Sequence, residues 1–327
     1  MARMRIILSL AALIACGTVC VAKKGDLTNV IPAKGKLIED IVYKATPQGE
    51  QCLDIYIPDV SATAKSPVVI YIHGGSWMHG SKDEPTKTVW GRTILADLLK
   101  GGYTVISINY RLVNDSVTVI YPDPLADCKD AVKWTKANAD KYSLDANRIA
   151  LMGSSAGAHL AMMAAYSPDG IAPGDAPLRN YNAEVKCVAD IYGPTDLSSL
   201  LQSKLPSVAV SVASLMLKKR IVKMRSLLLW SFTGESASHP IRRTRQCLLY
   251  SPITHVRDAV PTIAFHGTRD TLVPYKHTAW LEETMRKNGK KIEVYPVKGE
   301  THGFPTVSFE VAQGISNRLI QFLKINL

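Results

Sequence analysis

Short apolar runs alternate along this chain with longer stretches of helical periodicity. The runs at 38–43, 52–57, 68–72, 103–109, 149–152, 185–192, 262–266 and 292–295 read as strands. Between them, 88–99, 124–142, 155–166, 276–288 and 307–323 carry helical patterns. Such alternation predicts an α/β architecture: a mostly parallel central sheet of about eight strands with helices on both faces. The first two strands, joined by Thr46-Pro47-Gln48-Gly49-Glu50, read as an antiparallel hairpin at the sheet edge. No internal repeat, long low-complexity run or linker interrupts the pattern. The 327 residues are therefore read as one domain over 23–327 with a large core.

Residues 1–22 are set apart from that domain. Met1-Ala2-Arg3-Met4-Arg5 is a basic start, and the apolar run at 6–15 is too short to cross a bilayer as a helix. It matches the apolar region of an export signal. Leu13-Ile14-Ala15-Cys16 resembles a bacterial lipobox, which predicts cleavage before a lipidated Cys16 and attachment to the cell envelope. The competing cut lies after Ala22 and would give a periplasmic or secreted protein.

Candidate chemistry sits where strands end. Gly153-Ser154-Ser155-Ala156-Gly157 fits G-x-S-x-G between a strand and a helix of small apolar residues. On such a turn Ser155 Oγ projects from strained backbone, and the helix N-terminus offers N–H groups to a developing oxyanion. Asp270 follows the strand 262–266, and His302 lies in the glycine-flanked loop after 292–295. Serine is a poor nucleophile until a histidine takes its proton, and that histidine needs a carboxylate to fix its tautomer. Asp196, which also follows a strand, is the rival acid. Among the other histidines, His266 reads as a packed strand residue and His159 as part of a helix. His79, His239, His255 and His277 read as loop or surface residues. After the strand 68–72 comes His73-Gly74-Gly75-Ser76-Trp77, whose paired glycines let a backbone N–H approach a substrate oxygen. An N–H from Gly74 or Gly75, with that of Ala156, is the expected oxyanion hole.

Together these segments resemble α/β-hydrolases of the esterase/lipase type, particularly small-ester carboxylesterases and acetylxylan/feruloyl-type esterases. Further matching stretches are Asn109-Tyr110-Arg111-Leu112, Asp145-Ala146-Asn147-Arg148-Ile149, Tyr192-Gly193-Pro194-Thr195-Asp196, Ser251-Pro252-Ile253 and His302-Gly303-Phe304. The resemblance runs over about 43–327 and implies an α/β-hydrolase fold with Ser155, Asp270 and His302 as triad. It also implies a small-molecule or polysaccharide-linked ester, such as an acetyl or feruloyl ester, as substrate. Two departures stand out. Ser76 replaces a glycine many relatives carry, and 197–250 matches nothing in the family pattern. The His-Gly-Gly-x-Trp form is shared with arylformamidases, so an amidase or formamidase on the same fold is the alternative. A non-catalytic binding protein is disfavoured, since all three triad residues are kept.

Charge changes the picture in one place. The chain carries +11, and 197–250 supplies +8 of it, with nine Lys/Arg against Glu235. Ser207, Ser211, Ser214, Lys218 and Arg225 fall at helical spacing there, reading as a cap over the site, a pocket insertion, a plain surface helix or a membrane-facing one. No nucleic-acid motif accompanies the positive charge. Cys52, Cys128, Cys187 and Cys247 form no metal-ligand spacing, so neither a metal nor another cofactor is expected; they read as buried small residues or one optional bridge.

Overall fold

The computed structural model describes residue 30 and residues 35–59, 65–114, 116, 118–202, 212–233 and 240–327, with side chains described outside 212–221 and 240. Cys16, both candidate cleavage positions and His239 lie outside the described residues.

Eight strands form one sheet: β1 (Lys36–Thr46), β2 (Gly49–Ile57), β3 (Ser66–Ile72), β4 (Thr104–Ile108), β5 (Leu144–Ser154), β6 (Cys187–Ile191), β7 (Thr262–Gly267) and β8 (Ile292–Val297). Their order is β1-β2-β4-β3-β5-β6-β7-β8. β1 and β2 form the expected antiparallel hairpin, closed by a two-residue turn between Thr46 and Gly49, and every pairing from β4 onward is parallel. The helices are α1 (Val89–Lys100), α2 (Pro122–Ala137), α3 (Ala156–Tyr166), α4 (Leu197–Gln202), α5 (Val212–Thr233), α6 (Pro240–Leu249), α7 (Lys276–Lys287) and α8 (Phe309–Asn326).

The central strands are apolar throughout because both faces of the sheet are covered. In β3, Val68, Ile70 and Ile72 pack with Leu125, Val132 and Leu160 of α2 and α3. The alternate residues Val69 and Tyr71 pack on the other face with Ile94 and Leu98 of α1 and Leu319 and Phe322 of α8. Burying a side chain of this size is worth about 1.5–3 kcal/mol, so the period-2 split fixes the register of β3 strongly. Beside the sheet, Arg111 clamps the Asp127 carboxylate with Nε at 2.8 Å and Nη2 at 2.7 Å, tying the loop after β4 to α2.

Two boundaries differ from the sequence reading. The predicted helix 124–142 begins at Pro122 and ends at Ala137, because Asn138 leaves helical geometry and Ser143 takes a positive φ of 54° before β5. The strand read at 149–152 is the centre of a longer one, since Ser66 also pairs with Leu144. The region 197–250 contributes α4, α5 and α6. Arg225, read as part of a polar helical stripe, is half-buried, whereas its neighbours Lys223, Ser226 and Trp230 are exposed. No described helix is long and apolar enough to cross a membrane.

Candidate active site

The strands β3, β5, β7 and β8 end on the same side of the parallel sheet, so the loops after them converge there. Between β5 and α3 the chain turns through Ser155, whose φ of 52° and ψ of −118° lie outside ordinary helix or strand geometry. The turn closes only because Gly157 carries no side chain: a Cβ there would sit 2.0 Å from the Ile72 carbonyl oxygen. Strain of this kind, of order 1–3 kcal/mol, persists where surrounding contacts enforce it. Here the Ser155 N–H donates to the Ile191 carbonyl at 2.8 Å and the Ser155 carbonyl accepts from the His159 N–H at 3.1 Å.

The side chains expected from sequence come together across long separations. Ser155 Oγ lies 2.8 Å from His302 Nε2, and His302 Nδ1 lies 2.6 Å from Asp270 Oδ2. The carboxylate can only accept, so His302 carries its proton on Nδ1 and presents Nε2 as the acceptor for the serine hydroxyl. Asp270 Oδ1 accepts from the N–H groups of Leu272 and Val273, each at 2.9 Å. Burial pushes the Asp270 carboxyl up, but hydrogen bonds from His266 and His302 outweigh it and hold the group at about 2. It is therefore a fixed anion over the ordinary pH range.

His266 does more than pack. Its Nε2 lies 2.8 Å from the Val273 carbonyl and 3.3 Å from Asp270 Oδ2, while Nδ1 lies 2.6 Å from Thr278 Oγ1. The Val273 carbonyl can only accept, which places the proton on Nε2, on the Asp270 side. The sequence signal for this was available: His266 is the last side chain of a strand whose following loop bears the acid. The rival carboxylate takes no part. Asp196 Oδ1 accepts from the Ser199 N–H at 3.0 Å and caps α4. Among the other histidines, His159 is a buried α3 residue whose Nε2 donates to the Tyr250 carbonyl at 2.7 Å. His277, expected at the surface, is fully buried instead, because its Nδ1 faces the Thr195 and Asp196 N–H groups at 3.3 and 3.4 Å.

The loop after β3 separates the two candidate glycines. Gly75 has a φ of 105°, and a Cβ on it would lie 2.1 Å from the His79 carbonyl oxygen, so glycine is required there. The Gly74 N–H, one of the candidate donors, is engaged by Glu84 Oε2 at 2.5 Å. Gly75 and Ala156 remain as the backbone donors beside Ser155, the latter at the first position of α3, where an N–H has no intrahelical acceptor. Tyr110 supports the loop, stacking on His73 at 4.2 Å between ring centroids and donating to the His73 carbonyl at 3.0 Å.

A cavity of about 50 Å³ opens beside Ser155. Its walls include Trp77, Leu200, Met224, Arg225, Leu228 and Val273, so α4 and α5 of the unmatched region line the site. Residues that close a pocket need no local motif, which is why the family pattern left them unread.

Burial also lowers three histidines around the site, His73 to about 4 and His159 and His277 to about 3. An unfolded histidine titrates near about 6.5, so in the interval below that value the unfolded chain binds more protons. The stability these groups contribute is complete above about pH 6.5 and is lost as the pH falls toward the folded values. Asp190, raised to about 6 by burial, acts in the opposite sense between about pH 6 and 4. Three imidazoles outweigh it. Lowering the pH from 7 to 5 is expected to cost on the order of 4 kcal/mol, read as a lower urea midpoint; an unchanged midpoint would mean the imidazoles are not held neutral.

Comparison with known proteins bears on the family and the fold. The BD-FAE family model matches residues 53–285. Esterase LipC of Mycobacterium tuberculosis is 30% identical over 78% of this chain and 57% of its own length. The probable carboxylic ester hydrolase LipM of the same organism is 29% identical over 74% of this chain and 50% of its own. The chain thus spans about half the length of the curated relatives it matches. Among solved structures, a truncated carbohydrate esterase from gut microbiota superposes with a TM-score of 0.71 at 23% identity, covering 92% of this chain and 100% of that one. The propionate-bound esterase Est2 of Thermogutta terrifontis gives 0.64 at 23% identity, over 86% and 93%. At these identities the structural likeness concerns the fold, which is that of the α/β-hydrolases. With the family model covering most of its length and this fold beneath it, the chain belongs to the BD-FAE family.

Proposed function

We propose that this protein is a serine hydrolase that cleaves carboxylic esters of short acyl groups through an acyl-enzyme. The observation that carries the reading is the continuous chain of hydrogen bonds from Asp270 through His302 to Ser155 Oγ, beside backbone donors and a small apolar cavity. His302 Nε2 takes the hydroxyl proton as Ser155 Oγ attacks the ester carbonyl. The oxyanion is met by the Gly75 and Ala156 N–H groups, and the imidazolium is stabilised by the Asp270 carboxylate. His302 then protonates the leaving alcohol, and a water activated by the same imidazole releases the acid.

The cavity beside Ser155 supports a short acyl group. Its apolar walls (Leu200, Met224, Leu228 and Val273) suit an acetyl or propionyl tail. Polysaccharide-linked acetyl esters fit this reading. With p-nitrophenyl esters, kcat/KM is expected to be highest for acetate or propionate and about 100-fold lower for octanoate, since crowding packed apolar walls costs about 1–3 kcal/mol or more. Equal rates along the series would place the acyl chain elsewhere. Parallel assays of an anilide and a formamide separate the ester reading from the amidase and formamidase alternatives.

A further inference from the structure

The ladder between β3 and β5 ends at the pair Ile72 and Gly153. Beyond it, the oxyanion loop and the nucleophile turn leave that ladder, yet their relative position decides whether the Gly75 and Ala156 N–H groups converge. One side chain bridges them. Glu84 opens a short 3-10 turn, anchored by its own N–H to the Ser81 carbonyl at 3.1 Å. Its carboxylate reaches back to both segments. Oε2 accepts from the Gly74 N–H at 2.5 Å, and Oε1 accepts from Ser154 Oγ at 2.8 Å. Tyr71 of β3 completes the cluster by donating its hydroxyl to Ser154 Oγ at 3.1 Å. The carboxylate therefore does between Gly74 and Ser154 what a ladder rung does between Ile72 and Gly153.

A carboxylate is a costly group to place there. Burial pushes Glu84 above its ordinary range, with only partial relief from Ser154, Gly74 and Tyr71. A nearby negative charge also opposes an oxyanion. A position that served packing alone would be better filled by an apolar side chain. What the carboxylate supplies is two acceptor oxygens in one rigid plane, one for each segment.

We propose that Glu84 is a positioning residue for the oxyanion hole: it holds the Gly74 N–H away from the reacting centre and fixes the Gly75 and Ala156 N–H groups at the separation the oxyanion requires. The proposal rests on the serine-hydrolase reading above and extends it to a residue outside the triad. It acts through backbone donors, so its effect belongs to the transition state and not to ground-state binding.

The test uses the full chain on p-nitrophenyl acetate, with the wild type, Glu84→Gln, Glu84→Asp and Glu84→Ala compared for kcat, KM and melting midpoint. Glu84→Gln keeps an oxygen for the Gly74 N–H and an amide for Ser154 Oγ, and is expected within about 5-fold of wild-type kcat. Glu84→Ala removes both links and should lower kcat by about 10- to 100-fold with KM little changed, since small misplacements of a catalytic group cost up to about 100-fold. Glu84→Asp, one methylene short of the loop, should share that defect, which keeps the test open if the alanine variant does not fold. Wild-type kcat in Glu84→Ala or Glu84→Asp, a loss confined to KM, or a glutamine variant as poor as alanine would each overturn the proposal alone. A wild-type protein inactive on every ester and amide offered would overturn the serine-hydrolase reading itself.

Discussion

Replacing Ser155 with Ala is expected to lower ester turnover by about 10⁴-fold or more while leaving the fold intact. The change deletes one oxygen and relieves nothing structural, because the turn is held by backbone bonds from Ser155 N–H to Ile191 and from His159 N–H to the Ser155 carbonyl. Since nucleophile and base act as a unit, His302→Ala should cost a similar factor, and the double variant should be little worse than either single one. Ser154→Ala is the internal control. Its hydroxyl faces Glu84 and Tyr71, not His302, so the loss should be far smaller. An inactive Ser154→Ala beside an active Ser155→Ala would reverse the assignment within the motif.

Asp270→Asn should be nearly as damaging, about 10⁴-fold in kcat, by a route visible in the geometry. One carboxylate oxygen accepts from both the Leu272 and Val273 N–H groups. An asparagine must keep its carbonyl oxygen there, which turns its NH₂ toward His302 Nδ1. His302 then has to accept at Nδ1 and carry its proton on Nε2, where it can no longer receive one from Ser155. Because the Asp270 carboxyl sits at about 2, its own titration should leave no mark on the rate between about pH 5 and 9. Asp196→Asn, which weakens an α4 cap, should stay within a few-fold of wild type. Steady-state kcat for the pair decides between the two carboxylates, and a dead Asp196→Asn beside an active Asp270→Asn would reverse the choice.

Much of this site was legible because its requirements are local. A strand-to-helix turn with Ser155 at positive φ needs glycine beside it, and a loop that presents an N–H to a substrate needs Gly75, so both leave a pattern within five residues. The acid and base were legible for a related reason. In a parallel sheet the functional loops follow the C-terminal ends of strands, so locating 262–266 and 292–295 was enough to single out Asp270 and His302. The same argument proposed Asp196; Asp270 is preferred because its loop lies one strand before the histidine loop, and it is Asp270 that meets His302.

What stayed hidden depends on residues far apart in the chain meeting in space. Glu84 reaches Ser154 across a separation of 70 residues, and nothing in the stretch around it distinguishes it from a surface glutamate opening a turn. His277 looked exposed by composition and is buried because Thr195 and Asp196 offer it donors. Arg225 falls on a helical stripe that reads either as a pocket insertion or as a surface face, and only its place in the cavity wall separates the two. The sequence by itself determined the α/β architecture and singled out Ser155, Asp270 and His302, since each follows from backbone periodicity or a turn that tolerates few residues. Which glycine N–H Glu84 engages, how Asp270 is oriented and which residues line the cavity beside Ser155 were decided only by tertiary structure. Those depend on side chains packing across the sheet's end, where many sequences satisfy the same local pattern and only distance selects among them.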